Sequence, residues 1–97
     1  MKPVIWSKNA IASLQDIYDF IHTQSPQNAN LVIDTLFDLG EKLNQFPEKN
    51  PMEPLFNHND IRFFPKWNFK IVYRIELKRI YIIDIFSTLQ NPKKFKL

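Results

Sequence analysis

The side chains best suited to chemistry in this chain are cations. Arg62, Lys66, Lys70 and Arg74 fall in the stretch IRFFPKWNFKIVYRIELKRIYIIDIF, and Lys93 and Lys94 follow in the ending QNPKKFKL. Residues 1–57 hold four Lys and Arg against seven Asp and Glu, whereas residues 58–97 hold nine against three. A basic half on a small chain favours a polyanion or an acidic partner. The bland alternative is a solvated surface with scattered lysines. The tail lysines Lys93, Lys94 and Lys96 are often just solubilising, though with Phe95 among them a docking role is nearly as plausible.

Other reactive side chains are few. His22 and His58 lack metal-ligand spacing; His22 belongs to a helix C-terminus and His58 to a surface loop. Asp84 interrupts the apolar run IYIIDIF. It needs a partner if buried, and an ion pair with Arg62 or Arg74, or a place on an open sheet face, outweighs a catalytic role. Arg74 is therefore either that partner or a contact to a target. Trp67 sits in a turn, as a recognition aromatic or as cover for a sheet edge. A single glycine cannot build a phosphate-binding loop, and with no cysteine, disulfides and cysteine-ligated metals are excluded. No HExxH or Ser-His-Asp order occurs, so neither a metal nor a cofactor is implied.

The elements that position these groups follow from periodicity. Lys2 to Trp6 reads as a short first strand, with Pro3 marking an edge. Ser7 is an N-cap, and Ala10, Ile11, Leu14, Ile17, Tyr18 and Ile21 recur at helical spacing up to about Thr23. Ser25-Pro26 restarts a helix whose apolar stripe runs from Ala29 through Leu43 and Phe46 to a stop at Pro47. Gly40 lies inside that helix and implies a close approach by another group. Glu48 to Asn59 is a proline-containing loop, of a length that is often functional. Strands follow at Ile61–Phe64, Phe69–Glu76 and Arg79–Phe86, joined by short turns at Pro65–Asn68 and Leu77-Lys78, and so antiparallel.

Alternation sends Phe69, Ile71, Tyr73 and Ile75 toward the helices. Lys70, Val72, Arg74 and Glu76 then face the other way, where Lys70 and Arg74 can join Arg62. A sheet with helices on one face and cations on the other can bind anions. Ninety-seven residues make one domain, residues 1–97, of class α+β in the order β-α-α-β-β-β, with a mostly antiparallel sheet and a short basic C-terminal tail. No run is apolar enough for a secretory signal or a membrane span, so a cytoplasmic location is expected.

This order of elements resembles the RelE/ParE toxin superfamily of bacterial type II toxin–antitoxin systems. VIWSKNAIASLQDIYDFI, LNQFPEKNPMEPL, IRFFPKWNFKIVYRIE and IIDIFSTLQNPKKF carry the resemblance over nearly the whole chain. RelE-like members cut messenger RNA in the ribosome without a metal. They use basic residues on the open sheet face, an arginine just after the last strand and often a tyrosine or histidine beyond it. Carried over, Arg62 and Lys70 match the sheet cations. Leu89 stands where the late arginine is expected, and Phe95 where the tyrosine is. Leucine cannot stabilise a phosphorane-like charge and phenylalanine has no proton to give; losing one such group costs roughly a hundredfold in rate.

ParE-like members lack that catalytic set and poison DNA gyrase. The long helical hairpin and the missing late arginine resemble this branch, which implies a non-enzymatic toxin of the plasmid-stabilisation kind. The implied partners are DNA gyrase and a cognate antitoxin that folds across the toxin, with an acidic, amphipathic segment suited to the basic half. The alternatives are a ribosome-dependent messenger RNA endonuclease using Arg62 and Lys70, with the ribosome and messenger RNA as partners, and a domain that binds antitoxin without toxicity. On the ParE-like reading the target-binding set is Arg62, Lys66, Lys70, Arg74, Lys93 and Lys94.

Overall fold

The computed structural model describes residues 1–88. Its elements run β1 (Val4–Trp6), α1 (Lys8–His22), α2 (Pro26–Glu41), a 3-10 turn (Pro47–Lys49), β2 (Ile61–Lys66), β3 (Phe69–Ile75) and β4 (Ile80–Ser87). The strands form one sheet in the order β1-β4-β3-β2. β1 pairs with β4 in parallel, and β2, β3 and β4 form an antiparallel meander. This is the expected α+β arrangement, with the helical hairpin on one face.

Local chemistry explains the boundaries. The Ser7 side chain accepts from the Ala10 N–H at 2.9 Å and so caps α1. Its hydroxyl also donates to the Ile83 carbonyl at 2.6 Å, fixing the start of α1 against β4. Ser25 caps α2 through the Asn28 N–H, with Pro26 in the first turn. Ala10, Leu14, Val32, Leu36, Ile71, Tyr73, Ile80 and Ile82 form the core between the hairpin and the sheet. Gly40 lets Trp6 lie directly against α2, since a Cβ there would sit 2.4 Å from two indole carbons. The indole stacks on Phe37, centroids 5.1 Å apart.

Three expectations shift. α2 stops at Glu41, where the Lys42 and Leu43 N–H groups donate to the Leu39 and Gly40 carbonyls in a tightened last turn. Leu43 still reaches the core, but Phe46 leaves the apolar stripe, sits in the left-handed region at φ 54° and is 79% exposed. The β2–β3 turn shrinks to Trp67-Asn68, because Pro65 and Lys66 remain paired with Lys70 and Phe69. Pro65 is tolerated there because β2 is the sheet edge. Finally, the segment Pro51–Glu53 runs alongside β2. The Glu53 N–H donates to the Ile61 carbonyl at 2.9 Å, and the Phe63 N–H to the Pro51 carbonyl at 3.1 Å.

Candidate functional site

Pairing register decides where the cations point. Arg62 sits opposite Tyr73, whereas Ile61, Phe63 and Pro65 oppose Arg74, Val72 and Lys70. Directly opposed residues share a face. Arg62 therefore lies on the helix side with Tyr73, not on the outer face with Lys70 and Arg74. The expected grouping of Arg62, Lys70 and Arg74 fails because the β2–β3 ladder is offset by one residue, and a one-residue offset moves a side chain to the opposite face.

On the helix side Arg62 is engaged by the chain between α2 and β2. Its Nη1 donates to the Asn50 carbonyl at 2.7 Å and to the Glu48 carbonyl at 3.2 Å. Beside it, the Tyr73 hydroxyl donates to the Pro47 carbonyl at 2.6 Å and accepts from Asn50 Nδ2 at 3.0 Å. Burial raises the Tyr73 pKa above the ordinary tyrosine value, while the Asn50 hydrogen bond and the Arg62 charge oppose the rise. A guanidinium, a phenol and an amide thus hold the backbone of residues 47–50.

On the outer face the same loop is held again. Glu53 is fully buried; its Oε1 lies 2.5 Å from Lys70 Nζ, and its Oε2 accepts from the Leu55 N–H at 2.9 Å. The Lys70 contact is ionic rather than a directed hydrogen bond. Lys70 also sits over the Phe63 ring, 4.2 Å from its centroid. Ile61, Val72 and Phe86, with Phe56 and Phe63 packed on them, form a second apolar cluster on this face. The middle of the expected open face is therefore covered by the loop that Lys70 anchors.

The remaining cations lie at the two ends of the sheet. Lys66 stands over the Trp67 ring at 4.8 Å, and Trp67 adopts φ 52° at the hairpin tip, 53% exposed. Arg74 is exposed and makes no ion pair with another described residue. It faces Tyr81 across the β3–β4 ladder, and the Arg79 guanidinium lies 4.6 Å from the Tyr81 ring centroid. Lys93 and Lys94, like Leu89 and Phe95, lie outside the described residues.

Asp84 pairs with neither Arg62 nor Arg74. The β3–β4 register shifts so that Val72 faces Asp84 and Tyr73 faces Ile82, leaving Ile83 as an extra residue. This bulge turns Asp84 toward α1, where it accepts from Ser13 Oγ at 2.5 Å and from the Ile85 N–H at 2.8 Å. Burial raises its pKa above the ordinary aspartate value, against these two hydrogen bonds. His58 Nδ1 accepts from the Asp60 N–H at 3.1 Å in an exposed turn, and the His22 ring packs on Tyr18. Among the described residues no group of His, Cys, Asp and Glu could hold a metal, and no helix is long and apolar enough to cross a membrane.

An apolar groove of about 550 Å³ opens between α1 and the far end of the sheet, lined by Ile17, Phe20, Ile21, Phe69 and Ser87, with Asp16 and Asn68 at its polar rim. Reasoning from sequence missed this groove and Glu53. The Pro51 and Pro54 flanks of Glu53 were the available signal, since they fix a turn on either side of one carboxylate.

Comparison with known proteins fits this architecture. The family model described as ParE toxin of type II toxin-antitoxin system, parDE, matches residues 4–92. Among solved structures, a chain of the chromosomal ParDE TA system from P. aeruginosa shares the fold with a TM-score of 0.76 and 23% identity, covering 90% of this chain and 96% of that one. No curated protein sequence matches. Because the family match runs from β1 through both helices and the whole meander, the chain belongs to the ParE toxin family of type II toxin–antitoxin systems.

Proposed function

We propose that this chain acts as a single-domain cytoplasmic toxin that inhibits DNA gyrase without itself being an enzyme, and that a cognate antitoxin neutralises it. One observation carries the reading against the ribonuclease alternative: the two cations matched to RNA cleavage are committed to structure. Arg62 holds loop carbonyls on the helix side, and Lys70 neutralises buried Glu53. A phosphorane-stabilising group must be free to meet the reacting phosphate, and neither is. Leu89 and Phe95, which stand where that chemistry needs an arginine and a tyrosine, support the same reading.

An antitoxin segment with acidic and apolar side chains suits two features here. The apolar groove beside α1 offers burial, and the basic strands offer charge. The set Arg62, Lys66, Lys70, Arg74, Lys93 and Lys94 divides on this reading. Lys66, Arg74, Lys93 and Lys94 serve contact, while Arg62 and Lys70 serve by shaping the loop.

Incubating purified protein with gyrase and supercoiled DNA tests the proposal. Accumulation of trapped cleavage complexes is the expected result, and their absence at saturating protein overturns it. Pulse-labelling after induction in growing bacteria gives the cellular counterpart. DNA synthesis should fall before protein synthesis; the reverse order points to messenger RNA cleavage. No fall in either leaves a domain that only binds antitoxin.

A further inference from the structure

We propose that Arg74, Arg79 and Tyr81 form a binding site for single-stranded nucleic acid on the outer face of the sheet, at its β3–β4 end. Tyr81 projects from β4 to the outer face, because its neighbours Ile80 and Ile82 are in the helix-side core. Arg74 is its direct cross-strand partner, which brings the two side chains to about 5 Å at Cβ. Arg79 lies over the ring at 4.6 Å, and its Nε is held by Glu76 Oε1 at 2.5 Å. That ion pair occupies one nitrogen and orients the guanidinium, leaving its terminal nitrogens for a ligand. Glu76 is the carboxylate paired at this site, and it is engaged by Arg79.

The contrast with the other strand cations gives the site its meaning. Arg62 and Lys70 are bound internally, whereas Arg74 is exposed and pairs with no described residue. Ile5, opposite Tyr81 on β1 and 39% exposed, extends the ring into an apolar shelf. Two planar cations flanking an aromatic ring match two features of an unpaired strand. Phosphate oxygens accept from guanidinium forks, and bases stack on the ring and on the guanidinium plane. A duplex buries its base faces in its own stack, so the ring would gain nothing from it. An acidic peptide supplies the charge but not the π-face that Tyr81 is placed to meet.

The site shares Arg74 with the proposed contact set, but its test contains no gyrase, so the two readings fail separately. Fluorescence anisotropy of the purified chain with a labelled oligothymidylate of about ten nucleotides measures affinity across a salt series. Binding should strengthen as salt falls. Arg74→Ala with Arg79→Ala should reduce the slope of log affinity against log salt by about 1.4, from two phosphate contacts at about 0.7 each. Tyr81→Leu keeps an apolar cover over the strand; it should weaken binding at least about fivefold while leaving that slope unchanged. Arg74→Ala alone breaks no ion pair among the described residues, so it keeps the test valid if the double variant fails to fold; it should lower the slope by about 0.7. Lys49→Ala, which removes one charge elsewhere, should change the slope less than Arg74→Ala does. The proposal is overturned by no binding of the wild-type chain, by wild-type binding in Arg74→Ala and Tyr81→Leu, or by an equal effect of Lys49→Ala. Binding of polyglutamate in place of the oligonucleotide, with the same dependence on Arg74, also overturns it and makes the surface a protein contact.

Discussion

Replacing Lys70 by methionine should destabilise the protein by about 3 kcal/mol, although the residue lies on a sheet face that sequence patterning leaves open. Glu53 is fully buried with two polar neighbours, the Lys70 ammonium at 2.5 Å and the Leu55 N–H at 2.9 Å. Removing the ammonium strands a carboxylate with one neutral donor, and breaking a buried pair this way costs about 3–5 kcal/mol. The Lys70 side chain keeps 22% of its exposure, so water partly replaces it and the lower end applies. Glu53→Gln should cost only about 1 kcal/mol, since an amide oxygen still accepts from Leu55 and the freed ammonium can reach water. The double variant strands no charge. It should lose about 1–2 kcal/mol, well short of the sum of the single losses, which gives a coupling energy of about 2 kcal/mol. Urea denaturation of the four proteins measures each term. Additive losses, or a Lys70→Met cost below about 0.5 kcal/mol, would refute the buried pair. Growth inhibition adds a second axis: Lys70→Met should lose toxicity and the double variant should regain it if Lys70 serves the loop. A double variant that is folded yet non-toxic would make Lys70 a target contact.

Gly40→Ala should destabilise despite the better helix former. The new Cβ meets Trp6 ring carbons at 2.4 Å and Ile82 Cδ1 at 3.1 Å, and an overpacking cost of about 2 kcal/mol exceeds the gain of about 1 kcal/mol in helix propensity; a lower urea midpoint with altered tryptophan fluorescence checks this. Tyr73→Phe removes the donor to Pro47 and the acceptor of Asn50, at a cost of about 1–2 kcal/mol, and should speed limited proteolysis between residues 47 and 60. Asp84→Asn bears on pH. Burial raises the folded-state pKa of Asp84, so its contribution to stability is complete below the ordinary carboxylate range and is lost as pH rises through the raised value. Asn keeps an acceptor for Ser13 and Ile85 without the charge, so melting curves of the two proteins should converge near about pH 4 and separate toward about pH 7 with the variant more stable.

The helices were legible in the sequence because their signals are local. Ser7, Ser25-Pro26 and the apolar spacing each act within one turn. The face assignment of Phe69, Ile71, Tyr73 and Ile75 was legible for the same reason, since alternation is a property of one strand. Arg62 was misplaced because its face depends on register against β3, which only the two-residue turn at Trp67-Asn68 decides. A tryptophan at φ 52° is an unusual residue for that conformation, and nothing in its type announces so tight a turn. Asp84 was misassigned because a bulge breaks alternation in β4, which apolar patterning cannot register. Glu53 was invisible as a site residue because a loop carboxylate reads as solvated until Lys70, from the middle of the sheet, reaches it. The basic half keeps exposed cations on the outer face, but Arg74, unlike Arg62 and Lys70, has a side chain held by no hydrogen bond or ion pair among the described residues.

The parallel pairing of β1 with β4 has a kinetic consequence. Ser7 bonds to Ile82 and Ile83, and Ile80 to Pro3, so the first residues of the chain are held by the last described strand. The helical hairpin has its contacts in hand once Glu41 has left the ribosome, but β1 has no strand to join until β4 has done so. Loop closure over that separation must precede its reward, which places sheet completion late among folding events. Until then Trp6 has no sheet behind it and Gly40 nothing to admit. A nascent chain is therefore an unfinished toxin until β4 emerges, and an antitoxin made alongside it has that interval in which to be waiting.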